Sequence, residues 1–377
     1  MKIFLLILLT VVAFVGVVLT WRQRGQQQEP PAEEDARLSP LLRGINYLLS
    51  DEPDRALQEM VQAAKLRSEA ADVYMALGAM FRARGEFTRA VRIHQNLLAR
   101  PDLTKEMQLQ ARFALAQDFH AGGLLDRALK QYTKVLAIDS GHLKALEGSL
   151  RIREQGGDWA EAEEVLARLD RVRNTHSDLH RAYLLAELAR AQRGKPEEMA
   201  RLAEQAATLA PDCASALLLL LEFHLARGDA EASAAMLRRM IEHSPSHLPL
   251  ALALLLGHPE FYRTQGEPLL LAYWQQSRDE ALALSWAEQL ERLEGGSGVR
   301  ALLDRLDYRP ASLRASLRLA ALSETGDPLL LHHARDWRRR VKNHVCGKCG
   351  VEVVELRWQC PGCHEWGSMR PLGGGEI

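Results

Sequence analysis

Apolar positions fall into four regimes along this chain. From Ile3 to Leu19, "IFLLILLTVVAFVGVVL", seventeen residues carry no charge. At a rise of ~1.5 Å per residue they just cross a hydrocarbon core of ~30 Å, with Thr20 and Trp21 adding a turn. No small-x-small cleavage pattern ends the run, and its apolar part exceeds the ~7–15 residues of a signal-peptide core. Residues 1–21 therefore read as a transmembrane anchor rather than a cleaved signal. Residues 22–36 are polar, include Pro30 and Pro31 and lack an apolar period, which is the composition of a linker. From Arg37 onward apolar residues recur three and four apart, the spacing of amphipathic helices. The last regime is short: "VEVVELRWQ", Val351 to Gln359, is rich in β-branched residues and reads as a small hairpin.

Within the helical stretch a small residue recurs at Ala56, Ala90, Ala128, Ala162, Ala200 and Ala234, at intervals of 34, 38, 34, 38 and 34. A period of that length marks a tetratricopeptide array, in which each unit is two antiparallel helices joined by a tight turn. Gly85, Gly123 and Gly157 stand five residues before three of those alanines, and Gly194 and Gly228 stand six before two more. Glycine there supplies the left-handed conformation that ends a helix. The stretch from Ala71 to Asp102 shows the pattern most sharply. Tyr74, Leu77, Gly78 and Phe81 mark its first helix, Ala90, Ile93 and Leu97 its second, and Pro101 its stop. Residues 37–247 are predicted to hold six repeats. Over 248–340 helical spacing continues without a clear period, interrupted by Pro259, Pro268, "GGSG" at 295–298, Pro310 and Pro328, and reads as degenerate helix pairs. Stacked pairs line an extended groove with their first helices. Its candidate partner-binding residues are Arg82, Gln117 and His120.

Of five cysteines, Cys346, Cys349, Cys360 and Cys363 lie within eighteen residues, as two Cys-x-x-Cys pairs around the β-branched segment. Both pairs have ligand spacing at once, which points to a metal site rather than a redox dithiol or a pair of disulfides. Four thiolates make a closed tetrahedral shell for zinc or a single iron, with no position left for substrate. Gly350, Pro361 and Gly362 suit such tight turns. The module, residues 341–373, is too small to fold without its metal. Trp358, Trp366 and Leu356 exceed what it can bury, and they are predicted to pack against the helices. Cys213 stands apart and reads as a small buried hydrophobe. The expected fold is all-α: a repeat superhelix with an N-terminal transmembrane helix and a small four-cysteine β module at its C-terminal end.

Charge narrows the function. With 48 basic and 49 acidic side chains the net charge is -1, so no global field draws nucleic acid. The run "RDWRRRVK" at 335–342 is a local patch that reads as a solvated helix end. Only Lys2 precedes the apolar span while Arg22 and Arg24 follow it, which puts the body in the cytoplasm. Thiolate ligands also survive best in that reduced compartment. No HExxH, G-x-S-x-G, phosphate loop or G-x-G-x-x-G is present, so the chain reads as a binding protein and not as an enzyme.

Taken in order, anchor, repeats and cysteine module resemble the lipopolysaccharide assembly protein B (LapB) family of Gram-negative bacteria over nearly the whole length. The likeness is carried by "RGINYLLSDEPDRAL" at 43–57, "GAMFRARGEFTRAVRIHQNLL" at 78–98, "LLDRAL" at 124–129, and "CGKCG" with "LRWQCPGCHEW" at 346–366. The resemblance implies a single-pass bacterial inner-membrane protein with its bulk on the cytoplasmic side. It also implies an adaptor that works with the membrane protease FtsH to promote degradation of LpxC, the lipid A-committing deacetylase, and that gathers other lipopolysaccharide-synthesis proteins. The family's module is rubredoxin-like, which maps its four ligands onto Cys346, Cys349, Cys360 and Cys363 and favours iron, with zinc as the alternative. Residues 143–335 depart more from the family pattern. A general assembly scaffold without a proteolytic role, and a redox protein cycling one electron, are the other readings.

Overall fold

The structure, a computed structural model, describes residues 70–310, 312–322 and 328–372, with isolated positions between 43 and 59. The predicted anchor, 1–21, and linker, 22–36, lie outside the described residues. Among those described, no helix is long and apolar enough to cross a membrane. The chain divides into two compact units, Met1–Gly148 and Ser149–Ile377.

In the first unit α1 (Ala70–Ala83), α2 (Phe87–Leu98), α3 (Lys105–Ala121) and α4 (Leu125–Ile138) are joined by short turns. Helix α2 buries Ala90, Ile93, His94 and Leu97, one stripe at spacings of three and four. Against it α1 sets Tyr74, Leu77 and Phe81. Helix α1 also packs on α3, the contact by which one helix pair stacks on the next. Thr104 caps α3 by accepting from the amide of Met107. Gly85 and Gly123, with φ of 79° and 73°, turn the chain between paired helices. Gly78 serves another purpose, since a Cβ there would overlap the ring of His94. That histidine is fully buried, and its Nδ1 donates to Asp118 Oδ2 at 2.5 Å. Gly148 makes room in the same way for the ring of Tyr132, 2.5 Å from where a Cβ would stand.

Helix α5 (Leu143–Gly156) carries the chain into the second unit. There follow α6 (Trp159–Arg173), α7 (Asp178–Ala191), α8 (Pro196–Leu209), α9 (Ala214–Ala226), α10 (Ala230–His243) and a 3-10 turn at Pro245–His247. Next come α11 (Leu248–Leu256), α12 (Glu267–Ser277), α13 (Glu280–Leu306), α14 (Leu313–Leu322) and α15 (Pro328–Arg340). Helix α13 is broken at Gly295, where φ is 67° and ψ is -163°, within the predicted "GGSG" interruption.

The repeat register differs from the alanine ladder in one respect. In α2, α4, α6, α8 and α10 the buried fourth residue is Ala90, Ala128, Ala162, Met199 and Ser233. Ala200 is only half-buried, whereas Ala234 is buried beside Ser233. Each buried position stands five residues after its turn glycine, Gly85, Gly123, Gly157, Gly194 or Gly228. The turn fixes where a helix begins and hence which side faces inward, so glycine sets the register and a neighbouring alanine misreports it. Cys213 is fully buried, and burial pushes its thiol up to about 12.

The C-terminal module is a three-stranded antiparallel sheet in the order β2-β1-β3, with β1 at His344–Cys346, β2 at Glu352–Val353 and β3 at Met369–Pro371. The segment between the cysteine pairs is not a hairpin of its own. Only Glu352 and Val353 form strand, pairing back onto Val345 and His344, and Gln359 bridges to Trp366.

Candidate metal centre

Strand β1 delivers Cys346 into the first Cys-x-x-Cys turn, and the second turn precedes β3, which pairs Met369 opposite Cys346. The four sulfur atoms lie within 4.8 Å of one another, with Cys346 to Cys363 and Cys349 to Cys360 both at 3.6 Å. A tetrahedron with metal–sulfur bonds of ~2.3 Å has edges of ~3.8 Å, so the spacing suits one ion. It is far beyond the ~2.05 Å of a disulfide. Among the described residues the four cysteines form the metal-binding site.

The turns themselves solvate the sulfurs. Amides of Lys348 and Cys349 point at Cys346 Sγ at 3.4 and 3.5 Å, and the amide of Gly362 at Cys360 Sγ at 3.3 Å. Gly350, the residue after the first pair, has φ of 75°, and His364, the residue after the second, has φ of 59°. The two turns thus leave by the same left-handed step, taken once by glycine and once by a histidine. Gly362 has a different duty, because a Cβ there would stand 2.7 Å from Val351 Cγ2.

Burial resists ionisation of Cys346, but the Ser368 hydroxyl at 3.2 Å and the turn amides outweigh it and hold the thiol at about 6. The Glu365 amide favours the thiolate of Cys363, yet burial and the neighbouring sulfurs push that thiol up to about 12. A divalent ion between the sulfurs would offset the mutual repulsion that raises the Cys363 thiol.

The predicted docking of the module is present and divides the three apolar residues. Leu356 belongs to the mini-core with Val351, Val353 and Met369. Trp358 and Trp366 face the helices. Tyr183 of α7 stacks on Trp366 with centroids 5.7 Å apart at 26°, and it meets Trp358 at 5.7 Å. Gly367, with φ of 66°, comes so close that a Cβ would stand 2.6 Å from Tyr183 Oη. Glu154 at the end of α5 is the polar centre of the contact. It accepts from Gln359 Nε2 at 2.9 Å, Trp366 Nε1 at 3.3 Å and His180 Nε2 at 2.5 Å. His247 donates from Nε2 to the carbonyl of Met369 at 3.0 Å, and burial lowers its pKa, keeping the ring neutral. Arg318 reaches the carbonyl of Leu372 at 3.0 Å and Glu288 at 2.9 Å. Sequence reasoning missed Glu154, His180, Tyr183 and His247. Each looks like an ordinary helix or turn residue until the module is placed.

In the first unit the three candidate partner residues have different surroundings. Arg82 donates to Asp118 Oδ1 at 2.7 Å and so completes a chain with Asp118 and His94. Gln117 and His120 are half-buried on α3, and His120 lies edge-on to Tyr132 at 6.4 Å.

Residues 344–371 match the rubredoxin metal binding domain, and residues 73–106 match the tetratricopeptide repeat. The chain is 26% identical to the lipopolysaccharide assembly protein B of Haemophilus influenzae, over 99% of this chain and 98% of that protein. It is 26% identical to its namesake in Escherichia coli K12, over 98% of both. A crystal structure of a tetratricopeptide repeat protein from Parabacteroides merdae is 14% identical over 71% of this chain and 98% of that one, with a TM-score of 0.33. Helix pairs at tetratricopeptide spacing, a four-cysteine module of rubredoxin type and likeness from end to end agree: this chain resembles the proteins named lipopolysaccharide assembly protein B over nearly its whole length.

Proposed function

We propose that this chain is an inner-membrane scaffold of lipopolysaccharide assembly, which presents the deacetylase LpxC to the membrane protease FtsH. The carrying observation is the likeness to lipopolysaccharide assembly protein B across both the repeats and the metal module. Residues 1–21 anchor the chain, 22–36 form a linker, 37–247 hold six repeats and 248–340 degenerate pairs, and 341–373 are the metal module. Anchoring confines scaffold and protease to one surface, which raises their effective concentration without any new contact. The body is cytoplasmic, where the thiols stay reduced.

Cys346, Cys349, Cys360 and Cys363 hold one iron or zinc ion. With four protein ligands the ion supplies cross-linking and not substrate activation. The chain itself transforms no small compound. Arg82, Gln117 and His120 are its partner contacts, Arg82 being oriented by its donation to Asp118.

Depletion of the protein, followed by a chase of LpxC, tests the reading. A lengthened LpxC lifetime is expected. An unchanged lifetime, with lipopolysaccharide enzymes still recovered on the tagged protein, would leave a general assembly scaffold. Recovery of none would overturn both.

A further inference from the structure

An open cleft of about 450 Å³ lies where the metal module meets α5, α6 and α7, all within the second unit. We propose that this cleft binds a basic side chain, arginine above lysine, presented by an extended segment of a protein partner. Its size falls in the ~300–1,000 Å³ range of ligand pockets, enough for a long side chain and its flanking backbone.

Three indoles line the cleft, those of Trp159, Trp358 and Trp366. Trp366 is buried and stacked on Tyr183, edge-on to Trp159 at 78° with centroids 6.3 Å apart, which leaves half-buried Trp159 and Trp358 as the indoles a cation can reach. Indole faces attract cations, and guanidinium planes stack on them.

Two carboxylates share the lining, and they are not equivalent. Glu154 spends both oxygens on the docking contact. Glu187 has no hydrogen bond among the described residues, although its side chain is only 16% exposed. Its nearest cation, Arg190, stands off at 3.7 Å, and that guanidinium already donates to Ser215 Oγ at 2.8 Å. Burial raises the Glu187 pKa against the pull of Arg190, the behaviour of an acid short of partners. A carboxylate left in that state destabilises the fold, and an incoming cation would relieve it. Arg357 and His364 also line the cleft, but both are exposed, where water and salt screen them.

The inference rests on the scaffold reading only in making the occupant a protein segment. Full-length protein in detergent is titrated with acetyl-Gly-Arg-Gly-amide and with its neutral citrulline counterpart, followed by tryptophan fluorescence and calorimetry. Saturable binding of the arginine peptide is expected, weakened about tenfold or more by Glu187→Gln and by citrulline. Glu187→Gln should melt no lower than wild type, and Trp159→Leu should weaken binding independently. Equal binding of the two peptides, undiminished affinity in Glu187→Gln, or no binding of either would overturn the proposal. Protein that ignores the peptide yet still recovers lipopolysaccharide enzymes refutes the cleft alone; the converse refutes the scaffold alone.

Discussion

Replacing Glu154 with alanine tests how the metal module is held. The side chain is 6% exposed and accepts three hydrogen bonds. Without it the buried indole N–H of Trp366 has no acceptor, which costs about 1–3 kcal/mol. The amide of Gln359 is half-buried and recovers some water, so its loss is nearer ~0.5–1.5 kcal/mol. His180 is more exposed and adds little. The sum is ~1.5–4.5 kcal/mol, large for a single substitution. Glu154→Gln keeps one carbonyl oxygen and should lose less. Urea unfolding followed by tryptophan fluorescence reads the stability, and hydrogen exchange over 344–372 reads the docking. If Glu154→Ala unfolds within ~0.5 kcal/mol of wild type and amides of β1 and β3 exchange no faster, the reasoning fails, since surface substitutions behave that way.

Gly78→Ala sets two effects against each other. Helix propensity alone would favour alanine by ~1 kcal/mol, but the His94 ring occupies the space, so a net loss of ~1–3 kcal/mol is expected in thermal melts. Because burial holds the His247 pKa below its usual value, the folded state favours the neutral ring; its contribution is complete above the ordinary pKa of ~6.5 and declines as pH falls through the lowered value. Exchange protection of Met369 and its neighbours should therefore weaken with acid, and a His247→Gln variant should lose that dependence. Chelation should unravel the sheet of 344–371, seen as collapsed exchange protection there and faster exchange around Tyr183. Gly350→Ala meets no atom within 4 Å, so its cost is purely conformational, ~1–2 kcal/mol, read as faster metal release to a competing chelator.

The helix pairs and the four cysteines were legible because each is written in local spacing. The turn glycines carried the repeat register more faithfully than the alanines, because φ near 75° demands glycine at Gly85, Gly123, Gly157 and Gly228, though not at Gly194, whereas a buried fourth position accepts Ala, Met or Ser alike. The hairpin expected for Val351–Gln359 failed for a related reason. β-branched residues signal extended chain but not its partner, and β2 pairs with residues before the first cysteine. The docking tryptophans were foreseen from their excess of apolar surface. Their acceptor was not, for Glu154 sits among the charged residues of a helix end and nothing local distinguishes it. Arg82, expected at the groove, also completes a chain through buried Asp118 to His94, a long-range partnership that no periodicity reports.

Glu154 touches residues 205 and 212 positions further along the chain. Most repeat arrays are linear: each unit leans only on its neighbours, and either end frays alone. Here the tail folds back to grip the beginning of its own unit, so the row of helices becomes a closed circuit. A break at the thiolates would then be felt at the far end of that circuit, and loss of a single ion should convert concerted melting into piecemeal unzipping.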